Sequence, residues 1–389
     1  MTTVPMKGNW NYPTRVWAGP GRIAELPKAC EDLGIVRPLI VTDVGLKDSP
    51  MIRNALSLLR NARLFSDVRG NPVAANVEAG LKAYHAGAHD GVVAFGGGSG
   101  LDAGKVIAFM SGQSRPLWDF EDIGDWWTRA DPKGIAPIVA VPTTAGTGSE
   151  VGRAGVILNE ETHQKKIIFH PKMMPGIVIL DPELTVGLPA KITAATGFDA
   201  WVHCFEAFCA PGFHPLADGV ALEGMRLIKT YLPRACKNGG DLEARSRMLA
   251  AASMGATAFQ KGLGAVHAIA HPVGSFFDTH HGLTNAVITP YVIVHNREAI
   301  AERMKIVARV LDLPKPGVDG LLDWVLSFRK ELGIPHTLAD IGVTLKNPDE
   351  IGKEAALDPS AGGNPIPVDA ETLARIFRSA VKGDLSLKS

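Results

Sequence analysis

Six of the chain's twelve histidines fall between His203 and His281, and their spacing says more than their number. Asp199 and His203 stand at i and i+4 in a run from Pro189 through Phe208, where the proline suits the first position of a helix, so the two side chains share a face one turn apart. His267 and His271 repeat that offset inside the Gly- and Ala-rich run Gly264 to His271, and His281 follows just ahead of Gly282. One carboxylate and three imidazoles make a mixed oxygen and nitrogen donor set suited to Fe(II) or Zn(II), and the absence of thiolate argues against a structural zinc site. Alone, an i, i+4 Asp/His pair is more often a polar helix face. A second pair within an apolar segment shifts the balance, because a buried imidazole needs a partner. Glu206 shares the Asp199 and His203 face and reads either as a carboxylate orienting a ligand or, more commonly, as a surface acid. His280, beside His281, is given no role.

A second chemistry sits in glycine-rich turns. The apolar run GVVAF leads directly into Gly96-Gly97-Gly98-Ser99-Gly100, after which Leu101-Asp102-Ala103-Gly104-Lys105 opens a helical pattern. Glycines at a strand-to-helix turn let backbone N–H groups approach a pyrophosphate, and the helix N-terminus adds partial positive charge. Gly98-Ser-Gly-Leu-Asp-Ala103 satisfies the G-x-G-x-x-G/A dinucleotide pattern, which is weak alone. A Walker A loop is excluded, since Ser99 stands where its first glycine belongs. Pro142 to Glu150 forms another loop, with Thr143, Thr144, Thr147 and Ser149 as hydroxyl donors for phosphate or ribose oxygens, or simply as helix caps and turns. Asp43 closes the strand PLIVT, where a carboxylate can accept from a ribose 2′-OH and disfavour a 2′-phosphate; it serves equally well as a turn aspartate.

The elements that must carry these residues change character along the chain. Pro38 to Thr42, Gly91 to Phe95, Ile138 to Val141 and Ile177 to Leu180 are short runs, apolar throughout, as expected of strands covered on both faces. Helical patterns such as Asp48 to Leu59 and Asn76 to Ala86 lie between them. The spacing therefore predicts a doubly wound, mostly parallel α/β domain over residues 1–188. Beyond Pro189, β-branched runs become rare and helical patterns fit Asp218 to Tyr231, Leu242 to Gln260, Arg297 to Leu311, Val318 to Leu332 and Ala370 to Val381, predicting an all-helical domain over 189–389.

Composition removes other classes. Forty Lys and Arg balance forty Asp and Glu, against the cationic excess that nucleic acid or a membrane surface demands. Hydrophobic residues at 46% and charged residues at 21% are ordinary for a globular protein of this length. The four cysteines, Cys30, Cys204, Cys209 and Cys236, contain no C-x-x-C pair, so zinc-ribbon and thioredoxin-type motifs are out. Met1 to Pro20 lacks the apolar run of a signal peptide and no stretch reads as a transmembrane helix, so the expected location is the cytoplasm.

The loop GGGSGLDAGK, the segment PTTAGTGSEV, the helix GFDAWVHCFEAF and the run GLGAVHAIAHPVGSFFDTHHGLTNAVITP occur in this order. Together they resemble the iron-containing (group III) alcohol dehydrogenases, over nearly the whole chain from Asn11 to Asn364-Pro365. The resemblance implies an N-terminal Rossmann-like NAD(P) domain, a C-terminal helical domain, an active site in the cleft between them, and a homodimer or larger homo-oligomer. By position it implies Asp199, His203, His267 and His281 as the ligands of a divalent cation, Fe(II) first and Zn(II) as the alternative. It places pyrophosphate contacts on Gly97, Gly98, Ser99 and Asp102, nicotinamide and ribose contacts on Thr143, Thr144 and Thr147, a family Asn-Pro turn at Asn71, and NAD preference at Asp43. The lysine near the cofactor falls on Lys165, with Lys166 leaving a one-residue ambiguity.

The implied reaction is hydride transfer between NAD and a small alcohol or aldehyde, with the cation acting as Lewis acid. His271 is the candidate for passing the proton to solvent, with a helix-end histidine beside Pro272 as the equal alternative. Glycerol dehydrogenase-like polyol oxidation and a dehydroquinate synthase-like lyase reaction stay open, although the metal segments lack the basic cluster a phosphorylated substrate needs. Two positions depart from the family pattern: Gly104 in place of the usual alanine, expected to weaken its helix by about 1 kcal/mol, and Ile366 in place of a common arginine.

Overall fold

The structure, a computed structural model, describes residues 14–162 and 164–387. Asn11, where the family resemblance begins, and the rest of positions 1–13 lie outside them. Within the described residues, contacts divide the chain after Gly187.

The first unit contains β1 (Arg15–Ala18), β2 (Pro38–Val41), β3 (Arg63–Phe65), β4 (Gly91–Gly96), β5 (Ile138–Pro142), β6 (Ala154–Asn159), β7 (Gln164–Phe169) and β8 (Ile177–Leu180). Six of these form one sheet in the order β1-β8-β5-β4-β2-β3, every ladder parallel, while β6 and β7 pair as an antiparallel hairpin. The four inner strands β2, β4, β5 and β8 are buried along their whole length, which is why they read as unbroken apolar runs.

Helices α1 (Leu26–Asp32), α2 (Pro50–Leu58), α3 (Ala74–Ala86) and α4 (Gly98–Met110) form the crossovers. Leu26, Cys30, Ile52 and Ala55 join Ile40, Val93, Phe95, Val139 and Ile177 in one core cluster, so α1 and α2 cover one face. Alternation along β4 turns Ala94 to the other face, and there α4 comes so close that a Cβ on Gly104 would stand 2.6 Å from the Ala94 Cβ. The departure at Gly104 is thus a packing requirement of the helix against its strand, not merely a weakened helix.

From β2 the chain runs outward to edge strand β3 and then returns across to β4 on the opposite side of β2. That reversal makes the carboxyl ends of β2 and β4 a topological switch point, the place where an open α/β sheet offers a ligand crevice.

The second unit is helical, with no strand among its described residues. It comprises α5 (Ala190–Cys209), α6 (Pro215–Lys237), α7 (Leu242–Ala258), α8 (Ala265–Phe277), α9 (His281–His295), α10 (Arg297–Val310), α11 (Gly317–Glu331), α12 (Pro348–Leu357) and α13 (Ala370–Lys382). Pro189 is extended (ψ 146°) and precedes α5 as its cap residue; the expectation that it would be the first helical residue is corrected by that dihedral. Helix α5 is surrounded and buried almost throughout from Thr193 to Cys209, with Asp199, His203 and Glu206 as the carboxylate and imidazole side chains on that buried stretch. Trp201 stacks on Phe205 at 5.1 Å between centroids and meets Trp324 at 5.4 Å.

Candidate active site

Asp199 and His203 do lie one turn apart on α5, both almost wholly buried. Helix α8 supplies His267 and helix α9 opens with His281. The Nε2 atoms of His203, His267 and His281 lie 4.0, 3.9 and 3.9 Å from a single oxygen, Asp199 Oδ1. A tetrahedron with bonds of about 2.1 Å has edges of about 3.4 Å, so each of these three distances exceeds such an edge by about half an ångström; Asp199, His203 and His267 bring their ligand atoms within 4.8 Å of one another, and His281 stands at the rim of that group. The approach depends on Gly282. A Cβ there would sit 2.6 Å from the Ala195 carbonyl and 3.0 Å from the Asp199 Cβ, so any side chain would force α9, and His281 with it, away from α5.

His267 is held from outside. His267 Nδ1 lies 2.6 Å from Glu206 Oε2, while the Val266 N–H donates to the other carboxylate oxygen at 2.7 Å. His267 therefore carries its proton on Nδ1, leaving the Nε2 lone pair directed at the cage, the tautomer a cation needs. Burial opposes the imidazolium of His267, but the hydrogen bond and charge of Glu206, with the charges of Asp199 and Asp358, outweigh it and raise the pKa. Glu206 is buried, so it is not a surface acid, and its carboxylate orients the His267 ring. An oxygen and nitrogen donor set of this kind, with the tautomer fixed at His267, fits a divalent cation of the iron or zinc type.

His271 stands beside this cage without joining it. Its ring stacks on His281 at 5.2 Å and 12°, and its Nδ1 lies 2.7 Å from Asp358 Oδ2. Asp358 in turn accepts from the Ser360 N–H at 2.8 Å. Burial raises the Asp358 pKa, but the His271 charge and hydrogen bond together with the Ser360 bonds hold it below the ordinary carboxylate range.

Several supports have no local spacing signal. Asn364, of the NPIP segment, accepts from the Ala265 N–H at the start of α8 and exchanges two 2.9 Å hydrogen bonds with Asn296. Pro290 inside α9 has no N–H for the Ala286 carbonyl, and buried Arg329 donates to Ala286 and Val287 instead, at 3.0 and 2.8 Å. Burial pulls the Arg329 pKa down to about 10. His280, assigned no role from sequence, caps α9: its Nδ1 accepts from the Leu283 N–H.

The nucleotide candidates gather separately, at the switch point of the sheet. Gly97 caps α4 and Gly98 begins it, so the first amides of the helix are open to an anion. The Thr143 N–H donates to the Gly96 carbonyl at 2.9 Å, joining the two loops. Thr144 and Thr147 side chains come within 3.5 Å of the places where Gly97 and Gly98 would carry a Cβ. Ser99 Oγ donates to the Gly70 carbonyl at 2.5 Å, tying the loop to the Gly70-Asn71-Pro72 turn. Asp43 Oδ1 accepts from Gly45 N–H at 2.9 Å, while Oδ2 faces Gly96; it is a turn aspartate placed at the crevice.

Asp102 accepts from Ser149 Oγ and from the Val156 N–H. Lys105, buried beside it, donates to the Ser149 and Ala154 carbonyls and lies 3.4 Å from Asp102. Burial lowers the Lys105 pKa, with the Asp102 charge opposing. This cluster fastens the Thr-rich loop and β6 onto α4. On β7, Lys165 and Lys166 point to opposite faces, and Lys166 pairs with Glu121 at 3.3 Å.

Two family models cover this chain: iron-containing alcohol dehydrogenase over residues 13–182, and the C-terminal part of the Fe-containing alcohol dehydrogenase family over 193–381. The chain is 37% identical to the 4-hydroxybutyrate dehydrogenase of Cupriavidus necator, over 95% of this chain and 99% of that one. It is 32% identical to the NAD-dependent methanol dehydrogenase of Bacillus methanolicus, over 96% and 100%. Among solved structures, a 1,3-propanediol oxidoreductase superposes with a TM-score of 0.91 at 34% identity, covering 96% of this chain and all of that one. Sulfoacetaldehyde reductase from Bifidobacterium kashiwanohense, in complex with NAD+, gives 0.86 at 28%, covering 96% and 99%.

Proposed function

Because this chain belongs to the iron-containing alcohol dehydrogenase family, and is an oxidoreductase acting on CH–OH groups, we propose that it moves hydride between NAD and a small primary alcohol or its aldehyde. The hydroxybutyrate, methanol and propanediol of its relatives' names are all small primary alcohols. The observation that carries the reading is the convergence of three imidazole Nε2 atoms at 3.9–4.0 Å on one Asp199 oxygen.

Asp199, His203, His267 and His281 would hold the cation, Fe(II) by preference and Zn(II) as the alternative. When bound, such a cation supplies Lewis-acid stabilisation of negative charge on the substrate oxygen. Glu206 keeps the His267 lone pair aimed inward. Asp358 orients His271, whose Nε2 is left to take and release the proton of the alcohol. Gly97, Gly98 and Ser99 offer backbone amides to the NAD pyrophosphate, and Asp102 acts by holding the Thr-rich loop. Thr143, Thr144, Thr147 and Lys165 are the contacts proposed for the nicotinamide and ribose side, and Asn71 for the turn that Ser99 secures. Asp43 Oδ2 is the acceptor proposed for the ribose 2′-OH.

The reading extends to a homo-oligomer working in the cytoplasm without nucleic-acid or membrane partners; no helix among the described residues is long and apolar enough to cross a membrane. NADH absorbance over a panel of short alcohols, with metal-stripped protein reconstituted by Fe(II) or Zn(II), tests it. Cation-dependent NADH formation with at least one primary alcohol is expected; no turnover with either ion across the panel would overturn it.

A further inference from the structure

Asn285 lies on α9 one turn beyond His281 and is completely buried. A buried amide needs hydrogen-bond partners, and those its nitrogen finds are Asp199, His267 and His281 themselves. Its Nδ2 lies 2.7 Å from Asp199 Oδ1, 3.1 Å from His267 Nε2 and 3.1 Å from His281 Nε2. Its Oδ1 is buried without a hydrogen-bond partner among the described residues, so the group acts here as a donor.

An amide nitrogen carries two protons, and three lone-pair atoms converge on this one. The shortest contact is to the Asp199 oxygen, the same atom around which the three imidazoles gather. A lone carboxylate can rotate, or can grip a cation with both oxygens; a donor fixed to Oδ1 removes that freedom and leaves one lone pair of that oxygen for the cation. Because Asn285 and His281 share α9 at i and i+4, the helix sets the amide and one imidazole as a rigid pair.

We propose that Asn285 is a positioning residue of the cation site, holding Asp199 in one-oxygen ligation and keeping the donors convergent. This rests on the assignment of Asp199, His203, His267 and His281 as ligands. Outer partners of metal ligands typically contribute about 10–100-fold in metal affinity, which sets the size of the effect.

The test uses the full chain and Co(II) as the probe, with affinity from chelator competition and coordination number from the visible absorption bands. Asn285→Ala is expected to bind Co(II) at least about tenfold more weakly and, with Asp199 free to use both oxygens, to show weaker bands of higher coordination. A side chain that merely fills space would leave those bands unmoved. Parent-like bands with affinity within about twofold of the parent, well short of that range, would overturn the proposal. If Asn285→Ala loses the parent's far-ultraviolet circular dichroism, Asn285→Ser, whose hydroxyl is too short to reach Asp199, takes its place with the same criteria. Failure of the parent itself to bind Co(II) would instead sink the ligand assignment, so the two results are separable.

Discussion

The centre of the helical unit and the nucleotide crevice of the sheet unit are built from opposite materials. Around Asp199 the candidate working atoms belong to side chains from three helices, and several are held by a further side chain: His267 by Glu206, Asp199 by Asn285, and neighbouring His271 by Asp358. At the crevice the candidate atoms are mostly backbone amides at the start of α4, and side chains such as Lys105 and Asp102 fasten one stretch of backbone to another. A side-chain site fails when one donor or its holder is removed. A backbone site degrades by degrees, through the residues that keep its loops in register.

Substitutions can break or sharpen that contrast. The largest effect expected among the outer residues is from Glu206→Ala, which leaves the Val266 N–H and the His267 proton without their acceptor. Cation affinity should fall about 10–100-fold with little change in NADH affinity, as chelator competition and NADH fluorescence would measure. Asp43→Gly should cost roughly tenfold in preference for NAD over NADP, the size of one hydrogen bond to a charged group; an unchanged ratio of kcat/KM for the two cofactors removes that role. Lys105→Met should weaken NADH binding about fivefold, or roughly 1 kcal/mol, while leaving Co(II) affinity at the parent value.

The smallest effect concerns acid stability. Burial works against the Asp358 carboxylate, but His271 and Ser360 hold its folded pKa below the ordinary value, which in the unfolded chain is about 3.9. Its contribution to stability is therefore present above about pH 4 and is lost as pH falls through the folded value. Urea unfolding of Asp358→Asn should show a shallower decline from about pH 5 to pH 3 than the parent; identical slopes would contradict the pairing.

What was legible in the sequence follows the same divide. The inner strands and the glycine turn were readable because burial on both faces and a strand-to-helix phosphate turn each impose a local pattern. The i, i+4 offsets exposed Asp199, His203 and His267 for a similar reason. Edge strands β1 and β3 were missed: one is mostly exposed and the other three residues long, too little for a run. The β6-β7 hairpin was missed as well, its alternation broken by Gly155 and by consecutive lysines at 165 and 166. Asp358 and Asn364 were invisible as supports because their partners lie 87 and 99 residues away in the chain, and no local spacing encodes such a contact. Asn285 stood at i+4 from His281 in plain view, but a single amide in an apolar run carries no signal until the other ligands are placed around it.

One measurement bears most directly on the shared cation: metal content per chain of the parent and of His267→Ala, after equilibration with limiting Fe(II) or Zn(II) and removal of free ion. The four-donor cage predicts one tightly held ion per parent chain and, because a ligand matters more than an outer partner, at least about a 100-fold loss of affinity in the variant. Equal metal content in the two proteins, with equal turnover, would contradict it.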